Sequence, residues 1–426
     1  MADRAKPGRP TREWTLPRLG LLVGILAGTA VPAYFLLVAQ RAPLAWDFRA
    51  YRFAAGLARR GRSFVGVSPP VGAGEFVYPP VTVLAFYPFA ALPWEAAYLL
   101  QVAGSLGMAV ACGLLMVRYL EDQRVGLRTV DNLLVVGFCS TSTYPLVVYG
   151  QGQVDFLVLL GLTVTYLAHR ADRELLSGAA LGVATAFKLF PVVLGVWYLR
   201  HRAWRAVAGL VATCTATLAA GVVLFGLEMH RTYLRFLLTE RSRVDEFEAG
   251  MSPDFSGLTL SRPLSNLLPS VDPVLYTPIA VLLLLPVIGL VYARLHTETD
   301  RLVAYLATIV AMLVVSPATN AHHVLYLYFP LVPLLYCVDD PGVTRTLTAG
   351  TVVLSVPFRP RHLTEALTTL GVPSGTVATV RHVVRPALSV ASVPLVGLAV
   401  VLLGCVLYRC RCYRRRRPVE VQSTGD

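Results

Sequence analysis

Lysine is almost absent from this sequence: of its 38 basic residues only Lys6 and Lys188 are lysines. Charge of either sign is scarce too, at 15% of 426 residues beside 55% hydrophobic ones. A soluble domain carries about 25% charge, so an ordinary soluble globular protein is excluded, as is any strongly acidic one. The formal net charge of +13 does not call for a nucleic-acid partner, because the arginines gather at the ends of apolar runs, where membrane topology places them. Cysteine offers no disulfide framework. Cys112, Cys139, Cys214, Cys337 and Cys405 fall inside apolar runs, and Cys410 and Cys412 flank Arg411 in a basic tail.

What is abundant is uninterrupted hydrophobicity, with a mean hydropathy of +0.60. Residues 19–39, 96–117, 206–227, 273–293 and 386–408 carry no charge. Each is long enough to cross about 30 Å of hydrocarbon as a helix. Helices satisfy their own backbone polar groups, so the chain reads as an all-α integral membrane protein. The first run is longer than the core of a signal peptide and is expected to stay as an uncleaved helix.

Basic segments at 4–18, 118–128, 170–173, 200–205 and 409–417 are expected on the cytoplasmic side. Even numbers of crossings must then separate them. The weaker runs 132–149, 154–168, 302–315, 324–338 and 346–358 become spans, and 174–199 becomes two half-helices turning near Lys188-Leu189-Phe190-Pro191. The total is about twelve spans, with both termini cytoplasmic. A tail (1–18), a membrane body (19–408) with large outer loops at 40–95 and 228–272, and a second basic tail (409–426) make up the organisation. The second tail reads as an anchor for anionic lipid.

Candidate chemistry collects on the outer face. Asp47, in Trp46-Asp47-Phe48-Arg49-Ala50-Tyr51, is an acid among aromatics at a membrane surface, where partial desolvation makes a carboxylate a usable base. The bland alternative is that it caps the helix 48–57. His322 and His323 can hydrogen-bond a phosphate, share a proton, or cap. Adjacent residues diverge around a helix, so no more than one of the two is expected to act. Lys188 would suit a lipid phosphate or would snorkel, and Asp155, near an outer helix end, reads as structural. Arg231, Arg235, Arg241, Arg243 and Arg262 lie among Glu228, Glu240, Asp245, Glu246 and Glu248, as on a solvated surface; Arg262 lies closest to membrane re-entry.

Asp47-Phe48 with Tyr51, Tyr78-Pro79-Pro80, Gly150-Gln151, Lys188 with Pro191, and Ser316-Pro317 with His322-His323 occur in an order that resembles the integral-membrane glycosyltransferases of family 87, polyprenyl-phosphate-mannose-dependent mannosyltransferases. Asn320 stands where that family has Trp, Thr319 where it has Ser, and Asp254-Phe255-Ser256 in place of its Asn-Gln-Ser. The resemblance implies a C-type glycosyltransferase fold and a site between the outer loops of a multi-pass cell-membrane protein. It implies a polyprenyl-phosphate-linked sugar donor and a glycolipid or glycan acceptor, with inverting transfer on the extracytoplasmic face. Asp47 would be the base and His322 a second catalytic group. Lys188, His323, Arg262 and Tyr78 would hold the donor phosphate, and Tyr51, Gln151 and Gln153 would line the pocket. Phosphate leaves unaided and no Asp-x-Asp stands in the first outer loop, so neither a metal nor another cofactor is expected. The rival class is a secondary transporter or flippase for a lipid-linked sugar.

Overall fold

The computed structural model describes residues 15–38, 44–70, 72–239, 245–248, 250–255 and 257–415. Lys6 and the rest of the first basic segment up to residue 14, Glu240, Arg241, Arg243, Ser256 and the tail after residue 415 lie outside the described residues. Helix dominates what is described. Among those residues the pairing of extended backbone is an isolated antiparallel bridge between Gly257 and Asn320.

Six helices among the described residues are long and apolar enough to cross a membrane: Thr15–Ala33, Trp94–Asp122, Thr129–Gln151, Trp204–Thr239, Pro273–Tyr292 and Val393–Cys412. The protein is thus an all-α multi-pass membrane protein, and the expectation of about twelve spans is corrected to six. The parity argument counted every apolar run as a crossing. Several of those runs form helices too short for the purpose at about 1.5 Å per residue, such as Pro341–Leu354 and Tyr328–Cys337, the latter led in by a 3-10 segment, Ala321–Leu327. The Glu298–Val315 helix is longer but opens with Glu298, Asp300 and Arg301. These shorter elements are buried inside the protein, and their apolar character reflects a protein core. The long helices supply the lipid-facing shell. Trp204–Thr239 leaves Val211, Leu218, Val223 and Leu227 exposed along its length, as a helix bathed in acyl chains would.

Residues 174–201 do reverse direction. The Glu174–Phe187 helix ends as Lys188 turns extended (φ −137°, ψ 120°), a short 3-10 segment carries Pro191, and Gly195–His201 runs back. The return places the Tyr198 hydroxyl 2.6 Å from Ser177 Oγ and His201 against His169. Lys188 is therefore delivered at the tip of a hairpin. Gly178 lets this hairpin lie on the Trp204–Thr239 helix, since a Cβ there would sit 1.9 Å from the Ala206 carbonyl oxygen.

Two boundaries and one side-chain role differ from the sequence reading. The Trp204 helix continues to Thr239 through a kink at Gly226, so Glu228, Arg231 and Arg235 are helical and not in a loop. The run 386–408 divides between Ser374–Val390 and Val393–Arg415. Arg409 does not reach for lipid: it is buried, with its guanidinium 3.0 Å from Asp300 Oδ1 and donating to the Val291 carbonyl at 2.7 Å. A buried guanidinium needs such partners, and Asp300 on the neighbouring helix supplies the charge.

Candidate active site

The Trp46–Ala58 helix begins after Ala45, whose left-handed backbone (φ 59°) has no capping side chain. Asp47 occupies its first turn, where the helix dipole favours an acid, and Tyr51 follows one turn later on the same face. The Ala45 N–H donates to the Gly150 carbonyl at 2.6 Å, which ties this helix to the Gly150-Gln151-Gly152-Gln153 turn. Gly152 is left-handed (φ +68°), and a Cβ on it would lie 2.6 Å from the Cβ of Phe48. Only glycine meets both conditions.

The turn's other product is a buried polar triangle. Tyr51 Oη lies 2.7 Å from Tyr78 Oη, and both hydroxyls point to Gln153 Oε1, at 2.8 and 3.2 Å. Burial pushes the Tyr78 phenol up to about 12 and the Tyr51 phenol well above its ordinary value, so both remain protonated donors. Tyr78 holds its place because Pro79 and Pro80 force an extended entry into the 3-10 segment that follows.

Two residues after Gln153 comes Asp155, wholly buried at the start of the Asp155–Arg170 helix. Its carboxylate organises the centre. Lys188 Nζ stands 3.6 Å from Oδ1, His322 Nε2 3.6 Å from Oδ2 and His323 Nε2 3.9 Å from Oδ1, and the Tyr326 hydroxyl donates to Oδ1. The Lys188 ammonium also lies 5.5 Å from the Tyr78 ring centroid. The expectation that no more than one histidine acts is not met geometrically. The rings diverge by 76°, but a carboxylate has two oxygens, and each ring approaches a different one. Asp155, expected to be structural, is the carboxylate on which these groups converge, a convergence that the order of residues does not show. The available signal was its nearness to Gln153 at the start of a buried helix.

His323 Nδ1 accepts the Asn320 backbone N–H at 3.0 Å, which assigns any ring proton to Nε2. Burial drives the His322 imidazole down to about 4 against the raising field of Asp155, so at neutral pH it is uncharged. Its Nε2 and Asp155 Oδ2 have no hydrogen-bond partner, an unusual state for buried polar atoms and one that ligand or water commonly relieves.

Asp47, Tyr51, Tyr78, Gln151, Gln153, Lys188, His322 and His323 all line one cavity of about 1440 Å³. They come from five separate stretches of chain. Arg262 does not join them. It is buried and donates to the carbonyls of Ser252 and Phe255, at 2.5 and 2.9 Å. Its expected role as a phosphate ligand is therefore corrected: Nη2 is turned to the carbonyls of its own loop, while Nε and Nη1 are buried without a hydrogen-bond partner, and the side chain is not part of the cavity lining.

Asp155, His322 and His323 present ligand atoms all within 4.8 Å of one another, a spacing compatible with a divalent ion. The Lys188 ammonium already stands in that space, 3.3 Å from His323 Nε2. A dication there would meet a fixed positive charge at short range, and the set fits an ion poorly unless Lys188 withdraws.

The sequence matches the profile of glycosyltransferase family 87 over residues 76–317, more than half of the chain. The protein belongs to glycosyltransferase family 87. The matched interval of this family 87 protein holds Tyr78, Gln151, Gln153, Asp155 and Lys188, whereas Asp47, His322 and His323 lie just outside it. The chain is similar to the polyprenol-phosphate-mannose-dependent alpha-(1-2)-phosphatidylinositol pentamannoside mannosyltransferase of Mycolicibacterium smegmatis, with 26% identity over 263 residues, 61% of this chain and 60% of that one. It is similar to the protein of the same name from Mycobacterium tuberculosis, with 27% identity over 290 residues, 66% and 63% respectively. The likeness thus spans less than two thirds of either relative. Among solved structures, ArnT from Cupriavidus metallidurans bound to undecaprenyl phosphate aligns with 93% of this chain and 78% of its own, at 15% identity and a TM-score of 0.39.

The Gly152 turn yields a direct prediction. Gly152→Ala should cost about 1–3 kcal/mol from left-handed strain, and the displaced Phe48 should carry Asp47 with it. Transfer should then fall at least about tenfold. Gly150→Ala, whose Cβ would meet nothing within 4 Å, is the control. Thermal unfolding of the two variants checks this, and equal midpoints would remove the close-approach argument.

Proposed function

We propose that this family 87 protein transfers a hexose, mannose by analogy with its relatives, from a polyprenyl-phosphate donor to a lipid or glycan acceptor at the extracytoplasmic face of a cell membrane. Its membrane body would lie between two short cytoplasmic tails. The observation that carries the reading is that one cavity holds Asp47 together with the tyrosines, glutamines, lysine and histidines named above. Apolar residues of the same lining, among them Leu44, Val77, Phe190 and Phe358, suit a prenyl chain.

In this mechanism the acceptor hydroxyl oxygen attacks the anomeric carbon while the bond from that carbon to the phosphate oxygen breaks. The electron pair leaves on the phosphate, and Asp47 takes the hydroxyl proton. One displacement inverts the anomeric centre. His322 hydrogen-bonds the departing phosphate, while Tyr51, Gln151 and Gln153 orient the sugars. Lys188 and His323 are poised on the Asp155 carboxylate and turn their remaining field toward the leaving group.

The test is transfer of label from a polyprenyl-phosphate hexose to lipid or glycan in membranes containing the full chain. No transfer to any acceptor, with flux of the lipid-linked sugar across the bilayer intact, would favour the flippase class instead. The rate should change less than about twofold in excess chelator, because Lys188 supplies the local cation. A chelator-induced loss restored by a divalent ion would overturn that assignment of Lys188.

A further inference from the structure

Residues 360–390 form a helical hairpin that the mechanism leaves unused. The Pro360–Thr369 helix ends before Gly371, whose left-handed backbone (φ +75°) turns the chain, and Pro373 fixes the entry to the Ser374–Val390 helix. Between the two helices lies a second cavity, of about 720 Å³. Thr364 and Thr368 line it from one helix, and Arg381, His382, Arg385 and Ser389 from the other. Residues 364 and 368, like 381, 385 and 389, stand one turn apart on a single face. The groove shares no lining residue with the larger cavity, and no acid is part of its lining. Glu365, the hairpin's single acid, accepts the Tyr34 hydroxyl. Asp254 accepts the Arg361 backbone N–H at 3.0 Å and also lies outside the lining.

The hairpin stands where two spans enter the bilayer. Its second helix leads, after a two-residue break, into the span Val393–Cys412. That helix also packs on Ser261–Leu267, where Asn266 Nδ2 donates to the Ser389 carbonyl at 3.1 Å. Ser261–Leu267 in turn precedes the span Pro273–Tyr292. Arg409, near the end of one span, donates to Val291, near the end of the other. The two spans therefore run parallel and start at the same face. It is the face of the larger cavity, since Arg359 and Arg361 at the head of the hairpin line that cavity. Cytoplasmic span ends gather arginines, which accounts for Arg409, Arg411 and Arg414. Arg381 and Arg385 lie toward the other end and need another reason. The second helix has no buried residue. Val383 and Ala387, across the helix from the groove, are exposed, as is Leu370 at the bend. Basic helices with such an apolar side lie in the headgroup layer.

The geometry points to a headgroup site for an anionic phospholipid in this groove, with the lipid phosphate held between Arg381 and Arg385. The hydroxyls of Thr364, Thr368 and Ser389 donate to carbonyls of their own helices or the residues just before them, so the arginines and His382 supply the donors. Guanidinium forks suit phosphate oxygens. A groove with no carboxylate selects a headgroup of net negative charge, because the cation of a zwitterionic one finds no counter-charge there. The acyl chains of the same lipid would cover the exposed apolar residues of the hairpin. This site goes beyond the transfer reaction and does not depend on it.

Purified full-length protein in detergent is titrated calorimetrically with dioctanoyl phosphatidylglycerol, with the zwitterionic dioctanoyl phosphatidylcholine, and with inorganic phosphate. The wild type should bind phosphatidylglycerol about tenfold or more tightly than phosphatidylcholine. R381Q/R385Q should lose that preference by about tenfold, and R381K/R385K should keep part of it as point charges. R59Q/R60Q removes the same charge from two exposed arginines after the Trp46–Ala58 helix and should bind as the wild type does. An unchanged preference in R381Q/R385Q overturns the site. Equal loss in R59Q/R60Q overturns it too, by reducing the preference to net charge. Inorganic phosphate that binds as tightly as phosphatidylglycerol makes the groove a free-anion site and overturns the lipid. Arg381 and Arg385 are exposed, so the variants should keep the wild-type unfolding midpoint. If the double variant unfolds, R381Q and R385Q decide singly, each expected to lower the preference about threefold or more.

Discussion

Asp47→Asn is expected to lower sugar transfer by roughly 10²–10⁴-fold while leaving the protein folded and able to bind lipid phosphate. Asn preserves the size of the side chain and its place in the first helical turn, so the Trp46–Ala58 helix should form as before. What is lost is the ability to accept the acceptor's proton. A structural acid would behave differently: the helix start has no capping side chain, so a purely local role predicts a small stability change and normal transfer. Initial rates on labelled polyprenyl-phosphate hexose, with KM for the donor measured separately, decide between them. Retention of more than about a tenth of wild-type kcat would sink Asp47 as the base. A rise in donor KM with kcat intact would make it a binding group instead.

Asp155→Asn should have the largest effect on stability. The carboxylate is wholly buried, and Lys188, His322 and His323 approach it within 4 Å. Neutralising it leaves the buried ammonium without its nearest counter-charge. Breaking one partner of such a pair costs about 3–5 kcal/mol. Transfer should vanish with it, because the histidines and Lys188 lose the group that aims them. Asp155→Asn/Lys188→Met removes both charges and should recover much of the stability but not the activity. That non-additivity is the signature of a coupled pair. Thermal unfolding in detergent provides the measurement. If Asp155→Asn unfolds like the wild type, the carboxylate does not hold the centre together, and its role reduces to a spectator.

Asp155 also shows why part of the site was hidden. An acid at the start of a helix is commonplace, and nothing along the chain says that residues 188, 322, 323 and 326 converge on it. Arg262 failed in the opposite way. The sequence set it beside a membrane re-entry and within reach of a phosphate, but its guanidinium donates to the carbonyls of Ser252 and Phe255, and it is not part of the cavity lining.

Composition and local pattern determined, without any coordinates, that this chain lives in a bilayer as helices, because water-free surroundings leave the backbone no alternative. They also singled out Asp47, Lys188, His322 and His323, since polar groups at the ends of apolar runs are costly to keep without use, while Tyr51, Tyr78, Gln151 and Gln153 were marked by the family resemblance. Only the tertiary structure decided which apolar runs cross and which are core. Hydropathy reports transfer out of water and is blind to whether lipid or protein receives the side chain. The tertiary structure alone also brought five distant stretches around one cavity, because nearness in space has no counterpart in the order of residues.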